Sequence, residues 1–207
     1  MKLARTLTAA LAASSIAGAA WPAPDQIRIG YISTLSGPAG SYGEEMLNAY
    51  ELGLEHTGGN LGGIPVELIT GDDQAKPQIG IQLARQMMER DEVQFFSGLL
   101  FSHVGEAVNS VVLPAGRIVV ATVGGSSVLA GEACQENFFI ASWNTDTMFE
   151  ATGAHLAEQG VERVAAIATN YQAGWDAVEG LKRGYGNAHR GKPARRRSRG
   201  DRLPQER

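Results

Sequence analysis

The sequence has a single cysteine, Cys134, in 207 residues, so no disulfide can close within the chain and no cysteine-based zinc site can form. Its four histidines, His56, His103, His155 and His189, are scattered with no metal-ligand spacing, so neither a metal nor another cofactor is expected. After Ala20 no run reaches the ~18 apolar residues a membrane-spanning helix needs. Aromatic residues are few, at 7%. There is no overall excess of positive charge: 18 Lys/Arg against 22 Asp/Glu give a formal charge of -4, which argues against a nucleic-acid partner. That average hides a split. Asn187 to Arg207 holds eight basic and two acidic side chains, so the rest of the chain carries -10. What remains is a body in a chain that is 43% hydrophobic overall, enough for one ordinary core. Disorder, collagen and coiled coil are excluded on that ground.

The chain opens with Lys2 and Arg5, an apolar stretch from Leu7 to Ile16, and Ala17-Gly18-Ala19. A positive start, an apolar middle and a small-x-small site predict an export signal over 1–19, with a stiff linker over 20–25 that includes Trp21-Pro22-Ala23-Pro24. The expected location is the periplasm. At the other end the pattern breaks after Gly186. Residues 187–207 are Arg-rich, and only Leu203 could anchor a core. Three readings fit this segment: an out-of-frame or truncated end, which is preferred, a solvated tail, or an arm for nucleic acid or acidic lipid.

Between the ends, short β-branched or aromatic runs alternate with segments of helical period. Strands are predicted at Gln26 to Ser33, Pro65 to Thr70, Val93 to Leu100, Arg117 to Val123, Asn137 to Ser142 and Arg163 to Thr169. Helices are predicted at Tyr42 to His56, Pro77 to Arg90, His103 to Leu113, Asp146 to Gln159 and Gly174 to Tyr185. Strict alternation implies right-handed crossovers and an α/β fold with a doubly wound parallel sheet. In such sheets ligands bind outside the carboxyl ends of the strands. Attention therefore falls on Thr34 to Gly43, Gly71 to Lys76, Leu99 to His103 and Val123 to Leu129. The glycine-rich block Gly58 to Gly63 lies at the opposite end and reads as turn geometry.

Enzyme motifs fail in turn. Gly37, Gly40 and Gly43 are spaced three apart, not as G-x-G-x-x-G, and Asp72 comes too late for a dinucleotide fingerprint. Val128 stands where a nucleophile elbow around Ser126 requires glycine. Asp72 and Asp73 read as caps for the helix opened by Pro77, and His103 as a hydrogen-bonded residue at a helix start. No catalytic constellation survives, and the protein is expected not to be an enzyme. The small and hydroxyl residues left at strand ends, Ser36, Gly37, Tyr42, Ser102, Gly124, Gly125 and Ser126, suit holding a ligand without transforming it.

The order of motifs resembles the leucine/isoleucine/valine-binding (type I) family of periplasmic solute-binding proteins, receptors of ABC importers. The matching residues are Ile27-Arg28-Ile29-Gly30 leading into Leu35-Ser36-Gly37-Pro38 and Tyr42-Gly43, then Val66-Glu67-Leu68 and Asp72-Asp73-Gln74 before Pro77. They continue with Gly98-Leu99-Leu100-Phe101-Ser102, Gly124-Gly125-Ser126 and Asn170-Tyr171-Gln172-Ala173-Gly174. The resemblance implies two α/β lobes closing on a ligand, with an incomplete first lobe over 26–140 and the start of a second over 141–186. It implies Tyr42, Ser102, Gly124 and Ser126 as first-lobe ligand positions, with the Ser102 and Ser126 hydroxyls and a Gly124 backbone group meeting a carboxylate. Trp143 and Tyr171 are the candidates from the second side. Ala173 replaces the aromatic residue often found before the glycine matching Gly174, so an aromatic or acyl acid joins branched-chain amino acids as an expected ligand. The implied partners are that small carboxylate and the membrane permease of an ABC importer. A signalling-receptor lobe, a nonfunctional remnant and, more distantly, a dinucleotide oxidoreductase are the rival readings.

Overall fold

The computed structural model describes residues 25–123 and 125–190. The expected export signal, most of the linker, Gly124 and the chain beyond 190 lie outside the described residues.

The chain begins with β1 (Ile27–Ser33) and a short 3-10 turn (Gly37–Ala39) that leads into α1 (Gly40–His56). A two-residue β2 (Asn60–Leu61) turns back onto β3 (Ile64–Asp72), followed by α2 (Pro77–Glu89), β4 (Phe95–Gly98) and α3 (Ser102–Val112). Then come β5 (Ile118–Ala121), the single turn α4 (Ser127–Ala130), β6 (Phe138–Ile140), α5 (Thr145–Glu158) and α6 (Gln172–Arg190). The strands form one sheet in the order β2-β3-β1-β4-β5-β6. All pairs are parallel except β2 with β3, so the glycine-rich block that reads as a turn also carries a small antiparallel ladder.

Alternation along β1 sets the two faces of the sheet. Tyr31 points to α1, where its ring lies 5.3 Å from that of Tyr50, while Ile32 enters the main core with Phe96, Met87, Val104 and Val108. Burial of the Tyr31 side chain pushes its phenol up to about 12. Pro77 is placed to start α2, because its fixed φ suits a first helical turn and its missing N–H costs nothing there. Gly80, Ala84 and Met87 then form the buried stripe of α2, which packs on Val104 and Val108 of α3.

Five of the six expected strands form. The sixth, Arg163 to Thr169, pairs with no strand among the described residues. It borders an open cavity shared with α5 and α6, its residues are exposed, and Ile167 is fully so at 102%. A β-rich sequence becomes a strand only where a neighbour takes its backbone hydrogen bonds, and the nearest elements here are helices. The helices α5 and α6 form a close pair. Arg183 reaches Asp146 at 2.7 Å and Glu150 at 2.8 Å, and Gly180 and Gly184 lie where any β-carbon would collide with the backbone carbonyls of Asp146 and Glu150. Asp146 thus sits in the first turn of α5 without a side-chain capping bond, its carboxylate engaged by Arg183. α6 itself continues to Arg190, past the expected break at Gly186.

Candidate functional site

In this strand order the chain runs outward from β1 to β3 and then crosses back over β1 to β4, so the crevice at a parallel sheet's switch point opens beyond the carboxyl ends of β1 and β4. A cavity of about 420 Å³ lies there, lined by Thr34, Ser36, Gly37, Gln74, Lys76 and Phe101 among others. Two adjacent carboxylates shape its wall. Asp73 accepts the Thr34 hydroxyl at 2.5 Å and the Ala75 N–H at 2.8 Å. Asp72 accepts the Leu35 N–H and the Gln74 N–H, each at 2.9 Å. These bonds hold Gln74 and Ala75 in the left-handed region, with φ of 53° and 57°, a conformation non-glycine residues keep only when neighbours enforce it. The expectation that Asp72 and Asp73 cap α2 is corrected: Lys76 occupies the cap position with no side-chain bond. The carboxylates instead tie the loop after β3 to the loop after β1, because each finds backbone or hydroxyl donors before the helix begins.

The two acids titrate in opposite directions. Burial pushes the Asp73 carboxyl above the usual carboxylate range, with its second oxygen buried and unpartnered. Burial also acts on Asp72, but hydrogen bonds from the Ser36 hydroxyl and from the Leu35, Gln74 and Ser36 N–H groups outweigh it and hold that carboxyl low.

Beside this cavity α3 starts with Ser102, which is buried. Its hydroxyl accepts the Ala173 N–H of α6 at 3.0 Å. Three rings crowd the same point. Tyr171 meets His103 edge-on at 5.4 Å and Phe101 edge-on at 6.1 Å, and Phe101 and His103 are 5.7 Å apart. His103 also lies at the helix start as expected, with Nε2 3.3 Å from the Ala75 carbonyl. Among the expected site residues, Ser102 and Tyr171 are therefore brought together.

Ser126 is placed one turn further along α3. Fully buried, it donates its hydroxyl to Glu106 at 2.6 Å. The adjacent Ser127 N–H donates to the Asp176 carboxylate of α6 at 3.1 Å, and Asp176 also takes the Gln172 amide at 2.8 Å. Trp143 lies on the crossing from β6 to α5, with its backbone carbonyl against Gly125 and its side chain 55% exposed. Tyr42 sits on the first turns of α1 and is 65% exposed, away from these contacts. Gly124 lies outside the described residues. The sequence reading missed Glu106 and Asp176. A usable signal for Glu106 was its place on the predicted helix four residues after Ser102, the residue just before that helix, a spacing that brings the two to one face. Among the described residues no three side chains converge as metal ligands, and no helix is long and apolar enough to cross a membrane.

A family model described as periplasmic binding protein matches residues 26–190. The chain belongs to the periplasmic binding protein family. Among curated relatives, Leu/Ile/Val-binding protein homolog 6 of Brucella abortus is 26% identical over 182 residues, covering 86% of this chain and 45% of the relative. Among solved structures, an ABC-transporter solute-binding protein of Rhodopseudomonas palustris in complex with 3,4-dihydroxy benzoic acid superposes with a TM-score of 0.73 at 22% identity, over 80% of this chain and 45% of that one. A substrate-binding protein from Sphaerobacter thermophilus gives 0.68 at 30% identity, over 79% and 45%. The chain thus spans less than half the length of these relatives. The doubly wound sheet corresponds to the first lobe of the type I periplasmic binding fold, as the residue resemblance implied. These relatives are solute-binding proteins and not enzymes, and the family is extracytoplasmic.

Proposed function

We propose that the protein is the extracytoplasmic solute-binding component of an ABC importer and that it captures a small carboxylate with an aromatic body. The observation that carries this reading is the cluster of Phe101, His103 and Tyr171 around Ser102, where the starts of α3 and α6 meet above the sheet's switch point. Aromatic side chains offer apolar faces and C–H edges for stacked or edge-to-face contact with an aromatic solute, and Ser102 supplies a directed bond beside them. Family relatives in complex with benzoate and with 4-hydroxybenzoate support the aromatic class, and Leu/Ile/Val-binding relatives keep branched-chain amino acids as the second class. Ala173 and Asp176 of α6 cover Ser102 and Ser127, so the start of α6 forms the second wall of this site. The permease of the importer is the partner to which the loaded protein delivers its solute.

The test is calorimetric titration of the 207-residue chain with benzoate, 4-hydroxybenzoate and leucine, read alongside tryptophan fluorescence from Trp143 and Trp175, both half-exposed near the crossing and on α6. Saturable binding of an aromatic carboxylate, weakened about tenfold by Phe101→Ala, is the expected result. Binding of leucine alone would remove the aromatic class. Binding of none of them would sink the solute-binding reading for this chain and favour a remnant.

A further inference from the structure

The two serines at the candidate site have opposite hydrogen-bonding polarity. A hydroxyl carries one hydrogen and two lone pairs. The single hydrogen of Ser126 is committed to Glu106 at 2.6 Å, so toward a ligand Ser126 can only accept. Ser102 is the reverse: its oxygen accepts the Ala173 N–H at 3.0 Å, and its own hydrogen has no acceptor among the described residues. The backbone N–H next to Ser126, on Ser127, is likewise occupied by Asp176. A carboxylate arriving at Ser126 would find neither the Ser126 hydroxyl hydrogen nor the Ser127 N–H free, and would face the charges of Glu106 and Asp176.

Those two acids sharpen the point. Glu106 is half-buried and Asp176 is buried, yet neither forms an ion pair with a Lys, Arg or His side chain among the described residues. Partly buried carboxylates without a cation leave a local negative potential. Such a potential attracts a cationic or strongly polarised N–H or O–H group.

We propose that Glu106 is the specificity-determining residue of the site, acting through Ser126 to select solutes that carry a hydrogen-bond donor opposite their carboxylate. The solute's carboxylate then takes the free hydroxyl hydrogen of Ser102, and its donor, an ammonium or a phenolic hydroxyl, meets the oxygen of Ser126. Ser102 and Glu106 are four residues apart on α3, and the contacts of Ser102 and Ser127 fall on Ala173 and Asp176, three apart on α6. The helix positions that contact the two serines are thus offset by about one turn on both helices. This inference rests on the solute-binding reading and refines its ligand class.

The test compares matched pairs that differ only in the donor: 4-hydroxybenzoate against benzoate, and leucine against 4-methylpentanoate. Affinities are measured by calorimetry on the 207-residue chain. The wild type is expected to prefer the donor-bearing member of at least one pair by about tenfold or more, the worth of a charge-assisted hydrogen bond. The pair that shows the preference tells a phenolic solute from an amino acid. Glu106→Gln, whose amide both accepts and donates, is expected to bring the ratio below about threefold while the carboxylate-only member binds as well or better. Ser126→Ala, which removes the acceptor with little change in volume, should erase the preference too and serves if Glu106→Gln does not fold. A residue of purely structural importance would weaken both members of a pair alike and leave their ratio unchanged. A wild type that prefers the donor-bearing member in neither pair, or a ratio untouched by both variants, overturns this inference and leaves solute binding standing. Binding of no member of either pair overturns the solute-binding reading and this inference with it.

Discussion

The Ser102 hydroxyl accepts the Ala173 N–H at 3.0 Å across 71 positions of sequence, tying the first residue of α3 to the first turn of α6. Few contacts cross between the sheet domain and the α5–α6 pair, so this one has leverage on how closely they sit. Ser102→Ala leaves the half-buried Ala173 N–H without its acceptor and is expected to cost about 1 kcal/mol. Urea unfolding followed by circular dichroism measures that loss. Unchanged stability would mean that the two starts separate freely in solution.

The paired acids Asp72 and Asp73 predict an unusual pH response. Asp73 has its carboxyl raised by burial, so its contribution to stability is fully present below the ordinary carboxylate range and is lost as pH climbs through the raised value. Asp72 is held low by its hydrogen bonds, and its contribution is present above that range and lost as pH falls through the lowered value. Asp73→Asn keeps an oxygen for Thr34 and Ala75 and removes the buried charge. It is expected to raise the melting temperature by a few degrees at pH 7, with the advantage gone at pH 3. Thermal melts of both proteins across pH 3 to 8 check the sign; a variant less stable at pH 7 would show that the buried charge is needed.

Contact between α5 and α6 is close enough that size matters more than charge. Gly184→Val drives a branched side chain into the Glu150 backbone and is expected to cost about 3 kcal/mol or more. Arg183→Met, which removes the exposed pairs to Asp146 and Glu150, should cost no more than about 1 kcal/mol. Chemical denaturation of the two variants ranks them, and a reversed order would make the ion pairs the main tie.

The segment Arg163 to Thr169 offers an unpaired apolar backbone with Ile167 fully exposed. Unpaired β-prone segments recruit other chains. The 207-residue chain is expected to self-associate at micromolar concentration, and Ile167→Lys to shift it toward monomer in sedimentation velocity. A monomeric wild type would show that the segment is already satisfied.

Much of this architecture could be read from residue order. Short β-branched and aromatic runs located β1 and β3, and Pro77 marked the start of α2. The strand expected at Arg163 failed for a reason no local pattern carries: propensity describes a residue's fitness for a sheet, not the presence of a neighbour. The site was legible as a set of loops at strand ends. Its polarity was not, since whether Ser126 gives or accepts a hydrogen depends on Glu106, which sits twenty residues away in sequence. Asp72 and Asp73 show the same limit, for their partners Thr34 and Leu35 come from another strand's exit.

The glycine content of α6, two of whose glycines lie against α5, has a consequence for how the chain acquires its shape. Gly174, Gly180, Gly184 and Gly186 all fall within Gln172–Arg190, and each glycine inside a helix costs roughly 0.5–1 kcal/mol relative to alanine. Detached from its neighbour, this stretch would spend most of its time as coil. Its helix is therefore a product of docking, gained in one step with the surface it docks on, and amide protons in α6 should exchange with deuterium at the rate of those in α5 rather than at a rate of their own.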